Sequence, residues 1–177
     1  MARNIEVKAR IDSLSDVRAR LPALPCHGEH HLYQTDTFFH VVRGRLKLRE
    51  FADGTGELIF YERPDEAGPK LSQYDRIPCH DAVPVLRALS TALGVRGVIR
   101  KRRQVVLIGN TRIHLDEVEG LGSFLELEVV LRDSDTVAAG QRTAAELLQI
   151  LGIPESKLVS GAYLDLLQTK PRARRGA

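Results

Sequence analysis

A recurring alternation of apolar residues with large charges of both signs most constrains how this chain can fold. In residues 4–11, Ile5, Val7, Ala9 and Ile11 share one parity, and Glu6, Lys8 and Arg10 share the other. Arg45, Lys47 and Arg49 oppose Leu46 and Leu48 in the same way. Arg112, His114 and Asp116 oppose Ile113 and Leu115, and Glu126 and Glu128 oppose Leu125, Leu127, Val129 and Leu131. Side chains alternate across a strand, so residues two apart share a face. Each segment therefore reads as a strand with one apolar face and one charged face.

A sheet with one face in water gives this pattern. So does a barrel that turns its charged face inward and lays its apolar face outward beneath helices. Two details favour a functional charged face over a merely solvated one. The charges are large and clustered, with few of the Thr, Ser and Gln residues that decorate solvated strands. The acids are also concentrated in a few strands, as a metal site would need.

The remaining elements follow from local signals. Residues 13–21 read as a short helix ended near Pro22, and 22–32 as a loop. Strands are expected at 33–42, 45–51, 57–63 and 70–76, with a turn at 53–56. Residues 81–94 form an amphipathic helix that stops at Gly94. Strands at 97–108 and 111–118 flank a Gly109-Asn110 hairpin turn, and a further strand spans 123–132. Helices at 135–151 and 155–168 follow, the first stopped by Gly152 and Pro154. The helices at 81–94 and 135–151 are the expected cover for the apolar faces. The basic tail, 170–177, is expected to be disordered.

Composition narrows the function classes. The chain has 177 residues, 43% of them hydrophobic, enough for one domain with a real core. No run approaches the ~18 apolar residues of a membrane helix, and Met1 leads into Ile5-Glu6-Val7-Lys8 without a signal-peptide core. A cytoplasmic location with no membrane partner is the expectation. Two cysteines make no disulfide framework, and a net charge of +3 is too weak to imply a nucleic-acid partner.

The charged faces suggest phosphate chemistry. Glu6, Asp116, Glu126 and Glu128 can converge on a hard divalent cation such as Mg²⁺, which takes oxygen ligands. Lys8, Arg10, Lys47, Arg49, Arg63, Lys101 and Arg103 add donors for a row of phosphate oxygens. Arg100 to Arg103 are consecutive, so parity there is ambiguous. Lys101 and Arg103 are taken as inward, with Val105 and Leu107 on the same parity nearer the barrel end. No Gly-x-x-x-x-Gly-Lys-Ser/Thr loop is present. The cluster Cys26-His27-Gly28-Glu29-His30-His31, with Cys79-His80, matches no standard zinc spacing.

Taken in order, several segments resemble the CYTH superfamily, the triphosphate tunnel metalloenzymes, and its class IV adenylate cyclase-like branch in particular. They are Asn4-Ile5-Glu6-Val7-Lys8-Ala9-Arg10, Gln34-Thr35-Asp36-Thr37-Phe38-Phe39, Gly44–Arg49, Leu58–Arg63 and Lys101-Arg102-Arg103. Ile113–Glu128 is the most specific, and Gly161–Leu167 also fits the branch. The resemblance implies an α+β fold, mainly antiparallel β: an eight-stranded closed β-barrel tunnel with flanking helices, over residues 1–169. It implies Mg²⁺ or Mn²⁺ and a small-molecule triphosphate, either ATP, inorganic triphosphate or thiamine triphosphate. By matching position, Glu6, Asp116, Glu126 and Glu128 are metal-associated. Lys8, Arg10, Lys47, Arg49, Arg63, Lys101 and Arg103 line the tunnel, with Lys8, Arg63, Lys101 and Arg103 as catalytic cations. Conversion of ATP to cyclic AMP and pyrophosphate is the leading expectation, followed by triphosphate hydrolysis and then non-catalytic binding. A homodimer is compatible with all three. One position departs from the family pattern: Asn4 stands where the signature has its first glutamate, and it offers a carbonyl oxygen without charge.

Overall fold

The computed structural model describes residues 1–169. Eight antiparallel strands close on themselves in the order β1-β5-β4-β3-β2-β6-β7-β8. They are β1 (Ala2–Arg10), β2 (Gly28–Phe39), β3 (Arg45–Phe51), β4 (Gly56–Glu62), β5 (Lys70–Cys79), β6 (Val95–Ile108), β7 (Thr111–Val118) and β8 (Gly122–Leu131). Four helices flank them: α1 (Leu14–Arg18), α2 (Ala82–Leu93), α3 (Val137–Ile150) and α4 (Tyr163–Thr169). None of the described helices is long and apolar enough to cross a membrane.

The apolar faces point outward, and the helices cover them. Ile5, Val7, Leu125, Leu127 and Val129 form one buried cluster with Ala144, Leu147 and Leu148 of α3. Phe39 and Leu48 pack with Ala82 beneath α2. Burying each such side chain contributes about 1.5–3 kcal/mol, so the core of this protein lies around the barrel. The helix starts are capped as their sequences require: Asp81 accepts from the Val83 amide, and Thr136 from the Ala139 amide. The hairpin turn at 109–110 is present, with Gly109 at φ +53° and Ile108 paired with Thr111.

Three elements differ in kind from the sequence reading, beside end shifts such as the strand expected at 33–42 stopping at Phe39 and the one expected at 70–76 running on to Cys79. Residues 28–32 are not loop but the first part of β2, paired with β6 from Gly28↔Leu107 to Leu32↔Arg103. The polar run Glu29-His30-His31 has no alternation to betray a strand. The helix expected at 13–21 ends at Arg18, and a 3-10 turn follows at Leu21–Ala23, around Pro22. The helix expected at 155–168 is a 3-10 turn at Glu155–Lys157 followed by the separate α4. Between them Gly161 takes φ +78°, and Asp165 accepts the Ala162 N–H at 2.8 Å. The basic tail at 170–177 lies outside the described residues.

Gly140 shows how closely α3 sits on the barrel. A Cβ there would lie 2.7 Å from Ile5 Cγ1 and 2.8 Å from Leu131 Cδ2. Glycine is a poor helix former, so proximity explains it. Gly140→Val is expected to lower stability by about 1–3 kcal/mol through overpacking, read from the urea midpoint. An unchanged or raised midpoint would mean that α3 can lift without cost.

Candidate active site

The charged faces meet inside the barrel around a cavity of about 660 Å³. Its axis has a direction. At one end the chain leaves β8, passes around α3 and returns as α4, which sets Tyr163 into the barrel end. Tyr163 packs edge-on against Phe124 with ring centroids 4.9 Å apart, in a buried cluster that also holds Phe38, Tyr61 and Ile99. The opposite end carries Leu32, Phe51 and Leu107 on the cavity wall.

Between these ends lie the ionic groups, organised around two buried aspartates. Asp36 is 2% exposed. It accepts from Lys47 Nζ at 2.8 Å and from Arg49 Nε and Nη2 at 2.8 and 3.0 Å, with Lys101 Nζ at 3.6 Å. Burial alone would raise its pKa, but Arg49, Lys47 and Lys101 hold it well below the usual carboxylate range. Asp116 is fully buried. Arg103 grips it with a planar fork at 2.7 and 2.6 Å, and the Tyr163 hydroxyl donates to it at 2.8 Å.

Most of the residues singled out in the sequence come together here. Lys8, Lys47, Arg49, Arg63, Lys101 and Arg103 line the cavity, as do Glu6, Glu126 and Glu128. Lys101 and Arg103 do point inward, with Val105 and Leu107 following on the same face. Two placements are corrected. Asp116 is not on the cavity wall: its oxygens accept from Arg103 and the Tyr163 hydroxyl. Arg10 is exposed at the plugged end, where it donates to the Leu121 carbonyl at 2.7 Å and lies over the Phe124 ring. The strand parity was right for Arg10, but the barrel wall ends before it. Cys26 and Cys79 lie apart. Cys26 is exposed and donates to the Leu21 carbonyl, while Cys79 packs in the cluster under α2.

The carboxylates that remain on the wall fit a hard cation by chemistry. Glu6 and Glu128 are directly opposed on neighbouring strands, an arrangement that repels unless a positive charge joins it. Burial raises the Glu6 pKa against the pull of Arg63, with Glu126 and Glu128 adding to the rise. Asn4 Oδ1, on the same face two residues from Glu6, is buried with no hydrogen-bond partner among the described residues. These are all oxygen donors, as Mg²⁺ or Mn²⁺ prefers. Each acid also leans on a cation. Arg63 Nε lies 2.9 Å from Glu6, although its N–H is not aimed along that line. Arg103 lies 2.9 Å from Glu126 and Arg112 2.8 Å from Glu128. Accordingly, no three acidic, His or Cys side chains among the described residues are already gathered as metal ligands.

Sequence reasoning gave no role to Asp36, Tyr163, Gln34 or His114. Asp36 sat in a segment recognised only by resemblance, and a single acid between two threonines carries no pairing signal. Nothing local shows that Tyr163 enters the barrel. His114 was read as one charge of a charged face, yet burial and the adjacent Arg103 keep its imidazole neutral down to about 3.

Comparison with known proteins agrees with this architecture. The model of the CYTH domain matches residues 2–163. A Methanocaldococcus jannaschii protein with a provisional adenylate cyclase name is 26% identical over 173 residues, covering 92% of this chain and 97% of its own. The adenylate cyclase CyaB of Aeromonas hydrophila is 28% identical over 103 residues, 57% of this chain and 53% of that one. The structure of a Hippeastrum protein, named as an adenylyl cyclase and described by a dominant triphosphatase activity, superposes with a TM-score of 0.63. It is 17% identical and covers 96% of each chain.

Asp36→Asn leaves Lys47, Arg49 and Lys101 without their common anion. A loss of about 3–5 kcal/mol in urea unfolding is expected, partly recovered by added inorganic triphosphate. A loss below about 1 kcal/mol would show that solvent already screens these cations.

Proposed function

The chain belongs to the CYTH domain family, and on that premise we propose that it is a metal-dependent enzyme acting on a triphosphate held inside the barrel. Our first reading is the conversion of ATP to cyclic AMP and pyrophosphate. The observation that carries the triphosphate reading is the belt of inward cations from β1, β3 and β6, with Arg63 just beyond β4, around one axis that α4 closes at its far end. A polyphosphate is a row of anionic acceptors. Lys8, Lys47, Arg49, Arg63, Lys101 and Arg103 are all donors, and nearly all are already fixed by a carboxylate partner. Groups held in place before the substrate arrives need little reorganisation when charge builds up in the transition state.

In the cyclase reading, the ribose 3′ hydroxyl gives up its proton to solvent as its oxygen forms a bond to the α-phosphorus, while the bond from that phosphorus to the β-bridging oxygen breaks. The departing electron pair leaves on pyrophosphate. Lys8, Arg63, Lys101 and Arg103 serve as catalytic cations that neutralise the phosphates. Asp36 and Asp116 are positioning residues that hold those cations in place. Glu6, Glu126 and Glu128, with the Asn4 carbonyl oxygen, would hold a divalent cation, whose charge would add to the neutralisation of the phosphates. A hydrolytic reading shares this machinery, with water attacking the terminal phosphorus. The described activity of the Hippeastrum fold neighbour keeps it as the second reading.

Purified protein is incubated with ATP, inorganic triphosphate or thiamine triphosphate, each with Mg²⁺ or Mn²⁺ and with EDTA as the control. Cyclic AMP with pyrophosphate supports the first reading, and orthophosphate with a diphosphate product supports the second. Binding without turnover would make the chain a triphosphate-binding module. Neither binding nor turnover would overturn the proposal. Glu126→Ala and Glu128→Ala are each expected to abolish metal-dependent turnover while keeping the native circular dichroism spectrum; unchanged turnover in both would remove the metal assignment.

Burial, with Arg103 beside it, pulls the Lys101 ammonium down to about 7. A bound polyanion favours the charged form, so binding above that pH draws a proton from solution. At pH 8, calorimetry in buffers of different ionisation enthalpy is expected to show more proton uptake for wild type than for Lys101→Met, by up to about one proton. The difference shrinks at pH 6, where Lys101 is already protonated. Equal uptake by the two proteins at pH 8 would place the phosphates away from Lys101.

A further inference from the structure

The barrel interior accounts for only half of the run Arg100-Lys101-Arg102-Arg103. Lys101 and Arg103 point inward and belong to the belt of cations. Arg100 and Arg102 have the opposite parity and are exposed on the outer wall of β6. Neither side chain has an ion pair or hydrogen bond with another described residue. The same holds for the exposed side chains of Glu117 and Glu119, and for Tyr33, which is 50% exposed.

These groups stand in register. Tyr33 of β2 pairs with Arg102 of β6, Arg102 with Glu117 of β7, and Glu117 with Ser123 of β8. One row across four strands therefore reads tyrosine, arginine, glutamate, serine. The next row toward the plugged end repeats its centre. Arg100 lies there on β6, and Glu119, just past β7, donates its N–H to the Arg100 carbonyl at 3.0 Å. Together these side chains line a depression of about 370 Å³, to which no residue of a described helix contributes. On one side α4 reaches β6 at Gly97, where Leu164 fills the space of a Cβ. On the other, Val106, Ile113 and Leu115 are buried with Val17 of α1 and with α3. The strip between these covers is bare barrel wall.

Its charge pattern selects a partner by arrangement rather than by net charge. A purely anionic ligand meets Glu117 and Glu119, and a purely cationic one meets Arg100 and Arg102. The pattern is antisymmetric about the line between β6 and β7, positive on one side and negative on the other. A two-fold axis along that line lays β6 of one copy over β7 of the next. Arg102 then faces Glu117 of the partner subunit, and Arg100 faces Glu119 of the partner subunit. Each contact occurs twice, as in any isologous interface. Tyr33 meets Ser123 of the partner subunit at the edge. Arginine and tyrosine are the side chains that most often anchor such contacts.

We infer that this strip is the interface of a homodimer whose two-fold axis runs along the strands between β6 and β7. The inference goes beyond the reading of the barrel interior and does not depend on it. The axis follows the strands, so both barrels open toward the same side of the dimer. The contact is narrow and polar, which makes the dimer weak, with a dissociation constant on the order of micromolar. It is also sensitive to salt, because the Debye length falls from about 10 Å at 0.1 M to about 3 Å at 1 M.

The test is sedimentation equilibrium of the full chain over a range of concentrations at low salt. The mass is expected to rise from 19.7 kDa toward twice that value, and about 1 M salt is expected to weaken association tenfold or more. Arg102→Glu and Glu117→Arg each set like charges across the axis twice. Each is expected to weaken self-association by at least about tenfold and to keep the native circular dichroism spectrum. Tyr33→Ala changes no charge and is expected to weaken it about fivefold. Mixed in equal amounts, the two charge variants are expected to form a heterodimer of near wild-type affinity. In that pair the two introduced charges face each other, as do the native Glu117 and Arg102. Pairing of Arg102 with Glu117 within one chain gives no such rescue. A wild-type mass of 19.7 kDa at every concentration would overturn the inference and leave the triphosphate reading standing. Dimerisation untouched by all three substitutions, or folded charge variants that fail to combine, would overturn it as well.

Discussion

A carboxylate sealed inside a protein stays ionised only when cations reach it, and Asp36 and Asp116 each meet that condition more than once. Asp36 ties β2 to β3 through Lys47 and Arg49, and to β6 through Lys101. Asp116 ties β7 to β6 through Arg103 and to α4 through the Tyr163 hydroxyl. Desolvation makes each charge costly by itself. The interior can therefore carry so many ionic groups only as a connected set. The geometry of the inward cations follows from that connection.

Turning the charged face inward has consequences for the rest of the molecule. The apolar faces must be covered from outside, which is the role of α2 and α3. Closure removes every sheet edge, so the long polar interior adds no unpaired backbone. It also gives the cavity two unlike ends. One is filled by Phe124 and Tyr163, with Lys8 and Lys101 lying over the tyrosine ring at 4.4 and 5.2 Å. The other is open and partly apolar. A ligand entering such a space is oriented before any specific contact forms, with its anionic part drawn toward the belt of cations.

The internal ion pairs also explain how the site can exist without its ligand. Lys8, Arg63, Arg103 and Arg112 rest on Glu6, Glu126 and Glu128. On the proposed reading, a polyphosphate would compete for those cations and free the carboxylates for a divalent cation.

The sequence by itself determined the strands, their polar and apolar faces and most of the inward charges, because a period of two is a local property of an extended chain. Lys8, Lys47, Arg49, Glu126 and Glu128 were legible on that ground alone, whereas the inward choice of Lys101 and Arg103 needed the family resemblance. Only the tertiary structure decided which of these groups face the cavity. It withdrew Asp116 behind Arg103 and left Arg10 outside the plugged end, since parity gives a side chain's face but not its height along the barrel axis. It also brought in Tyr163, more than thirty residues beyond the last strand, and left Gln34 Oε1 and His114 Nδ1 without a hydrogen-bond partner among the described residues. Those outcomes depend on where eight strands stagger and what α4 fills, and no short stretch of sequence encodes either.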